Sequence, residues 1–171
     1  MLVIGGAWPS PHGPVPPTLV GWLARPDLVS IAALGGVVEA SACALALACD
    51  LRVAATGAQL SLTPSSEAVL APFPALPALA GLVGRSRALE IAVTGRRLDA
   101  GQARDLGLVS LVVPTADLAG AARDLAGAVL AAGRDLVTET KALLAGAGVQ
   151  SLDEQCEADA EARARLSRGA D

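Results

Sequence analysis

The 171-residue chain contains no tyrosine, one phenylalanine and two tryptophans, so its core must be assembled from small aliphatic side chains. Lysine is nearly missing too: of the 13 basic residues only Lys141 is a lysine, a bias of base composition rather than of function. A net charge of −4 speaks against nucleic acid as a partner, because phosphate binding rests on basic patches. The small clusters Arg96-Arg97 and Arg163/Arg165/Arg168 have acids close by and read as solvated faces. The three cysteines, Cys43, Cys49 and Cys156, form neither a C-x-x-C pair nor a metal-ligand spacing, and no metal or disulfide framework is expected. Cys43 and Cys49 lie in an Ala/Leu run, where a free thiol behaves as a small buried hydrophobe. This usage fits a reducing, cytoplasmic compartment. Two long apolar stretches are broken, residues 28–48 by Gly35-Gly36, Glu39 and Ser41, and residues 68–83 by Pro72, Pro74 and Pro77. A membrane span needs roughly 20 mainly apolar residues without such breaks. The opening Met1–Ala7 lacks the basic region and the long apolar run of a signal peptide.

What remains is 53% apolar and 18% charged, the composition of a folded chain, with the length of one domain. Such a chain buries about two thirds of its unfolded surface and needs no staples. Leu2–Gly6 and Leu28–Leu34 read as buried strands, each ending in glycines. Residues 8–17 carry five prolines and form a loop, followed by a short helix from Thr18 to Arg25. Ala40–Cys49 holds strong helix formers without a breaker and predicts a buried helix. Leu51–Ala55 and Gln59–Leu62 read as short strands separated by Thr56-Gly57. Helices are expected at Pro74–Val83 and Ser86–Thr94, and a third begins at Asp99, with Gly107 past its end. Leu108–Val113 is a strand stopped by Pro114. Helices follow at Asp117–Ala132, Leu136–Leu144 and Ser151–Leu166, the last opened by a Ser151/Glu154 capping box. Strands followed by helices indicate an α/β arrangement.

Two blocks then become recognisable. Leu28 to Gly36 followed by Ala44–Ala55 is one. Leu82-Val-Gly84, Ala88-Leu-Glu90, Thr94 to Ala100, and Ala103–Val109 through Pro114 form the other. In order and spacing, without a gap from Leu28 to Pro114, they resemble the crotonase, or enoyl-CoA hydratase/isomerase, superfamily. Thr138–Lys141 and Ser151–Glu154 are similar to its C-terminal helices. The family is longer: its opening strands and first helix are missing before Met1. The resemblance implies an N-terminally shortened crotonase-like spiral of ββα units over residues 1–114. It further implies a C-terminal helical region over 115–171 that serves oligomerisation, as a trimer or a dimer of trimers. Acyl-CoA would be the ligand, with no further cofactor, and fatty acid metabolism the setting. The shared chemistry is an oxyanion hole in which two backbone N–H groups hold the thioester oxygen as it becomes enolate-like. Such aimed donors are typically worth about 3–4 kcal/mol each.

Residue by residue, the family's Gly-Gly-Gly run falls on Ala40-Ser41-Ala42, so Ser41 stands at the second donor. The first donor falls on Val15 in one register and on Pro14, which has no N–H, in the other. Gly13, Ala42, Ala44, Pro64 and Lys141 then line the ligand, Lys141 resembling a family lysine that reaches the CoA phosphates. The family's two catalytic glutamates fall on Ala44 and Pro64, neither of which manages a proton. Hydratase activity is therefore in doubt, and a non-catalytic acyl-CoA-binding protein or partner subunit is the alternative. Glu67, three residues past Pro64, is the candidate replacement acid, with Glu39 and His12 as weaker ones. Ser65-Ser66 with His12 imitates a triad in name only.

Overall fold

The computed structural model describes the backbone of residues 2–7 and residues 15–62 and 74–168 in full. Strand β1 (Leu2–Ala7) is followed by α1 (Pro17–Leu23), β2 (Ser30–Gly35), β3 (Val37–Glu39) and α2 (Ala40–Ala48). Then come β4 (Leu51–Ala55), β5 (Gln59–Ser61), α3 (Ala75–Val83), α4 (Arg85–Thr94), β6 (Leu98–Asp99) and α5 (Ala100–Asp105). Strand β7 (Leu111–Val113) leads through a single 3-10 turn at Thr115–Asp117 into α6 (Leu118–Ala131), α7 (Arg134–Gly146) and α8 (Leu152–Arg168).

The strands form two sheets. One is parallel throughout, in the order β1-β2-β4-β7; the other runs β3-β5-β6, with β3 parallel and β6 antiparallel to β5. Each turn of the chain gives one strand to the first sheet, one to the second, and then a helix: β2-β3-α2, then β4-β5-α3. This is the expected ββα spiral. The sequence suggests Leu51–Ala55 and Gln59–Leu62 as consecutive strands, and the structure sends them to different sheets. The Thr56 N–H donates to Val113 O (2.8 Å), closing the first sheet, while the Gln59 N–H donates to Gly36 O (2.9 Å). Gly36 makes the corresponding crossing from β2 to β3 at φ 65°, a region costly for a residue with a Cβ.

Alternation along the strands explains why both faces of the first sheet are covered. Ala32, Leu34 and Ala54 point into the main core with α2, α3 and α5, whereas Ile31, Ala33 and Val53 point the other way onto Ala122 and Ala126 of α6. Parallel strands buried on both faces read as continuous apolar runs, which is how β2 reads. Alanines at i and i+4 let α6 lie close against the sheet. Helix α6 is thus part of the packed core, and the helical region that stands apart from the sheet begins at α7. Helix α2 is apolar all round and buries six of its nine residues.

The predicted helix signals hold at α5 and α8. The Asp99 carboxylate accepts from the Gln102 N–H (2.8 Å) and the Gln102 side chain answers at the Asp99 N–H (3.1 Å). Ser151 and Glu154 close the second capping box, with the Ser151 N–H donating to Glu154 Oε2 at 2.7 Å. Strands β3 and β6, of three and two residues, are too short to leave a periodic signal.

Candidate functional site

The registers set the ends of neighbouring strands side by side in each sheet. β1 and β2 finish side by side at Ala7 and Gly35. β3 and β5 finish side by side at Glu39 and Ser61. Glu39 leads directly into α2, so the first turn of α2 starts beside the end of β5. In open α/β sheets ligands bind beyond the carboxyl ends of the strands, and a helix N-terminus there directs N–H groups at a bound anion.

Ser41 is the second residue of α2 and is buried, as are Ala42 and Ala44 after it. Val15, the alternative first donor, is buried in the same core cluster as Ala42, Cys43 and Ala44. The Cys43 thiol bonds the Ser61 backbone, tying the first turn of α2 to the end of β5. Gly13, His12, Pro64, Ser65, Ser66 and Glu67 lie outside the described residues. Glu39 is ion-paired with Arg97 across the surface, which accounts for it as a structural charge rather than an acid aimed at a ligand.

One feature at this end has no sequence signal. Ala40, in the first turn of α2, sits at φ 47°, and among the described residues no other side-chain-bearing residue has a positive φ. Left-handed backbone costs an L-residue about 1–2 kcal/mol. Such strain concentrates where a turn must aim a backbone group. Ala40→Gly is expected to stabilise the fold by about 0.5–1 kcal/mol after glycine's larger unfolded-state entropy is counted, raising the melting midpoint by about 1–4 °C. Thermal denaturation of the variant checks this.

The far end of α2 is held as firmly as the near end. Arg52 is buried in the middle of β4, where its guanidinium donates to the carbonyls of Cys49 and Leu108 and, at 3.4 Å, of Ala46. A cation on the last carbonyls of a helix completes both its hydrogen bonds and its dipole. An arginine between Leu51 and Val53 in a buried-strand pattern is the sequence signal that marks this role.

Lys141 was expected to reach ligand phosphates, and the structure places it otherwise. Its Nζ donates to Leu23 O (2.7 Å) and Leu28 O (2.6 Å) and stands 2.9 Å from the Asp50 carboxylate. An ammonium has three donors, and all are engaged here. Its side chain is 15% exposed, so the ammonium is held inside the fold rather than in solvent. Asp50 in turn accepts from the Ser30 N–H (2.7 Å) and Oγ (2.8 Å), completing a closed polar cluster.

Burial pushes the Cys43 thiol up to about 12 and the Cys49 thiol up to about 11. Folded values above the unfolded 9.0 mean that the native state favours the protonated thiols. The stability they hold is complete below about pH 8.5 and is lost as pH rises toward 11–12, by up to about 1.4 kcal/mol per pH unit for each thiol. Melting midpoints should be level from pH 7 to 8.5 and fall above pH 9, and Cys43→Ala/Cys49→Ala should flatten that fall. At neutral pH a thiol reagent should label the exposed Cys156 quickly and the other two only after unfolding.

Among the described residues no group of three His, Cys, Asp or Glu could hold a metal ion, and no helix is long and apolar enough to cross a membrane.

Comparison with known proteins agrees with this architecture. A family model described as enoyl-CoA hydratase/isomerase matches residues 19–170. A Bacillus subtilis (strain 168) protein, YngF, described as an enoyl-CoA hydratase/isomerase, is 39% identical over 125 residues, 72% of this chain and 46% of its own. The (E)-benzylidenesuccinyl-CoA hydratase of Thauera aromatica is 37% identical over 111 residues, 65% of this chain and 43% of that one. Among solved structures, a Thermobifida fusca YX protein described as an enoyl-CoA hydratase, in complex with CoA, superimposes with a TM-score of 0.83 at 36% identity, over 88% of this chain and 59% of that one. The enoyl-CoA hydratase of Bacillus anthracis gives 0.80 at 30% identity, over 85% and 57%. The chain spans about half the length of the relatives it matches. It belongs to the enoyl-CoA hydratase/isomerase family, and it has the fold of that family.

Proposed function

We propose that this chain binds the thioester of an acyl-CoA at the start of α2 and has lost most of the family's capacity to hydrate it. The observation that carries the reading is the first turn of α2, set at the carboxyl end of β3 beside the end of β5 and holding a strained Ala40. The CoA-bound relative of the same fold supports the ligand class. The backbone N–H of Ser41 would be one donor to the thioester oxygen and that of Val15 the other, each worth about 3–4 kcal/mol to an enolate-like oxygen. Side chains at 40, 41 and 42 narrow the approach that glycines leave open.

Hydration also requires one group to activate water and one to manage the α proton, each contributing about 10²–10⁴-fold. Ala44 and Pro64 have no titratable group to offer in the positions that the family resemblance assigns to these acids. Glu67 is the residue through which activity would survive. The reading extends to a homo-oligomer, a trimer or a dimer of trimers, in the cytoplasm, serving acyl-CoA metabolism.

Calorimetric titration with crotonyl-CoA and with a longer enoyl-CoA, while following the enoyl absorbance, tests this. Saturable binding with unchanged absorbance is expected. Binding with turnover that Glu67→Gln abolishes would replace the loss of hydration by a substitute acid, and absence of binding would overturn the ligand assignment altogether.

A further inference from the structure

Among the described residues of this chain, α7 and α8 pack mainly on each other. Helix α7 has no fully buried residue, and α8 has only Ala162. The two are joined by the ion pair of Arg165 with Glu139 (2.7 Å), which lies within the pair itself. Toward the body, α7 borders an open groove of about 800 Å³ whose walls include Leu51 and Val129 on one side and Leu136, Val137 and Leu144 on the other. Apolar side chains on both walls are therefore held apart rather than in contact.

What spans the gap is polar. Among the described residues, every hydrogen bond from α7 or α8 to the body leaves from Lys141. Its acceptors come from three separate places: the end of α1 (Leu23), the lead into β2 (Leu28) and the turn between α2 and β4 (Asp50). One ammonium thus pins three segments at once. The other attraction across the gap, between Arg134 and Asp27, acts on a carboxylate already paired with Arg25 and is screened by solvent. Covalently the arm is attached at Gly133, which takes φ 86° and has no atom within 4 Å of where a Cβ would stand. Glycine there leaves the α6–α7 corner sterically free.

We infer that α7 and α8 form a hinged arm, with Gly133 as the hinge and Lys141 as the latch that holds it to the α/β body. Within one chain the arm's position is then set by one polar cluster and not by a shared apolar core. Removing the latch must loosen the arm selectively, since the sheet faces are packed by α2, α3, α5 and α6 without it.

Hydrogen exchange followed by mass spectrometry on the whole chain tests this with Lys141→Met, which keeps the side-chain bulk and deletes all three donors. The expected result is that amides of residues 135–165 exchange at least ten times faster, while those of Ile31–Leu34, Val53–Ala55 and α4 change less than twofold. Asp50→Asn keeps the carbonyl partners of Lys141 and should give a smaller acceleration confined to the same residues; it serves in the same way if Lys141→Met does not accumulate. Arm amides unchanged in both variants, or arm and sheet amides accelerated equally, would overturn the inference.

Discussion

Replacing Arg52 with methionine should lower the stability of the fold by about 3 kcal/mol, which corresponds to about 6–12 °C in the melting midpoint for a domain of this size. Arg52 is 6% exposed and makes no ion pair among the described residues, yet its guanidinium is engaged by backbone carbonyls of Ala46, Cys49 and Leu108. Methionine fills much of the same space and takes the donor from the Cys49 and Leu108 carbonyls, whereas the Ala46 carbonyl keeps the Cys49 N–H. An orphaned buried acceptor costs about 1–3 kcal/mol. Against this stands the relief of a desolvated charge, seen in the way burial pulls the guanidinium below its ordinary value. The first effect wins because two acceptors are stranded and only one cation is released. Urea denaturation at neutral pH measures the difference, and Arg52→Lys, with a compact head that cannot fork between α2 and Leu108, should recover less than half of it.

A larger loss, about 4 kcal/mol or more, is expected from Ala44→Glu, the substitution that restores a family acid to its place in the sequence. Ala44 is 0% exposed and lies in the main core, on the buried helix α2. Extra atoms overpack such a site by about 1–3 kcal/mol. A carboxylate there loses its hydration besides, so its folded pKa would rise above the ordinary 4.3 or so. A raised folded value means that the protonated form is the one tolerated, so the penalty should be least below about pH 4.5 and grow as pH rises through neutrality. Denaturation midpoints of this variant at pH 5 and pH 7.5 should therefore diverge, whereas those of the parent should not. If the variant proved as stable as the parent at pH 7.5, position 44 would open onto a wet cavity and the loss of hydration would rest on Pro64 alone.

Most of the architecture was legible because it is written in local chemistry. The apolar run of β2, the breaker-free alanines of α2, and the caps at Asp99 and Ser151 each act over a few neighbouring residues. What sequence reasoning missed is what depends on distant partners. Nothing near Val37–Glu39 says that it pairs with Gln59–Ser61, and the assignment of β4 and β5 to separate sheets is decided by Gly36 and Val113. The same holds for single residues. Lys141 is 91 residues from Asp50 and 118 from Leu23, so its role as a latch has no sequence pattern, and its resemblance to a ligand-binding lysine pointed elsewhere. For the candidate site, the burial of Ala42 and Ala44 in a helix was legible in the sequence, but the left-handed turn at Ala40 was not, since alanine carries no sign of such a conformation.

The central claim is that the amides at the start of α2 grip a thioester oxygen. Infrared difference spectroscopy of crotonyl-CoA labelled with carbon-13 at the carbonyl, free and bound to this chain, reads that grip directly. The account predicts a carbonyl band displaced to lower frequency on binding, with CoA lacking the acyl group binding more weakly. A bound thioester whose carbonyl frequency is unchanged would contradict it.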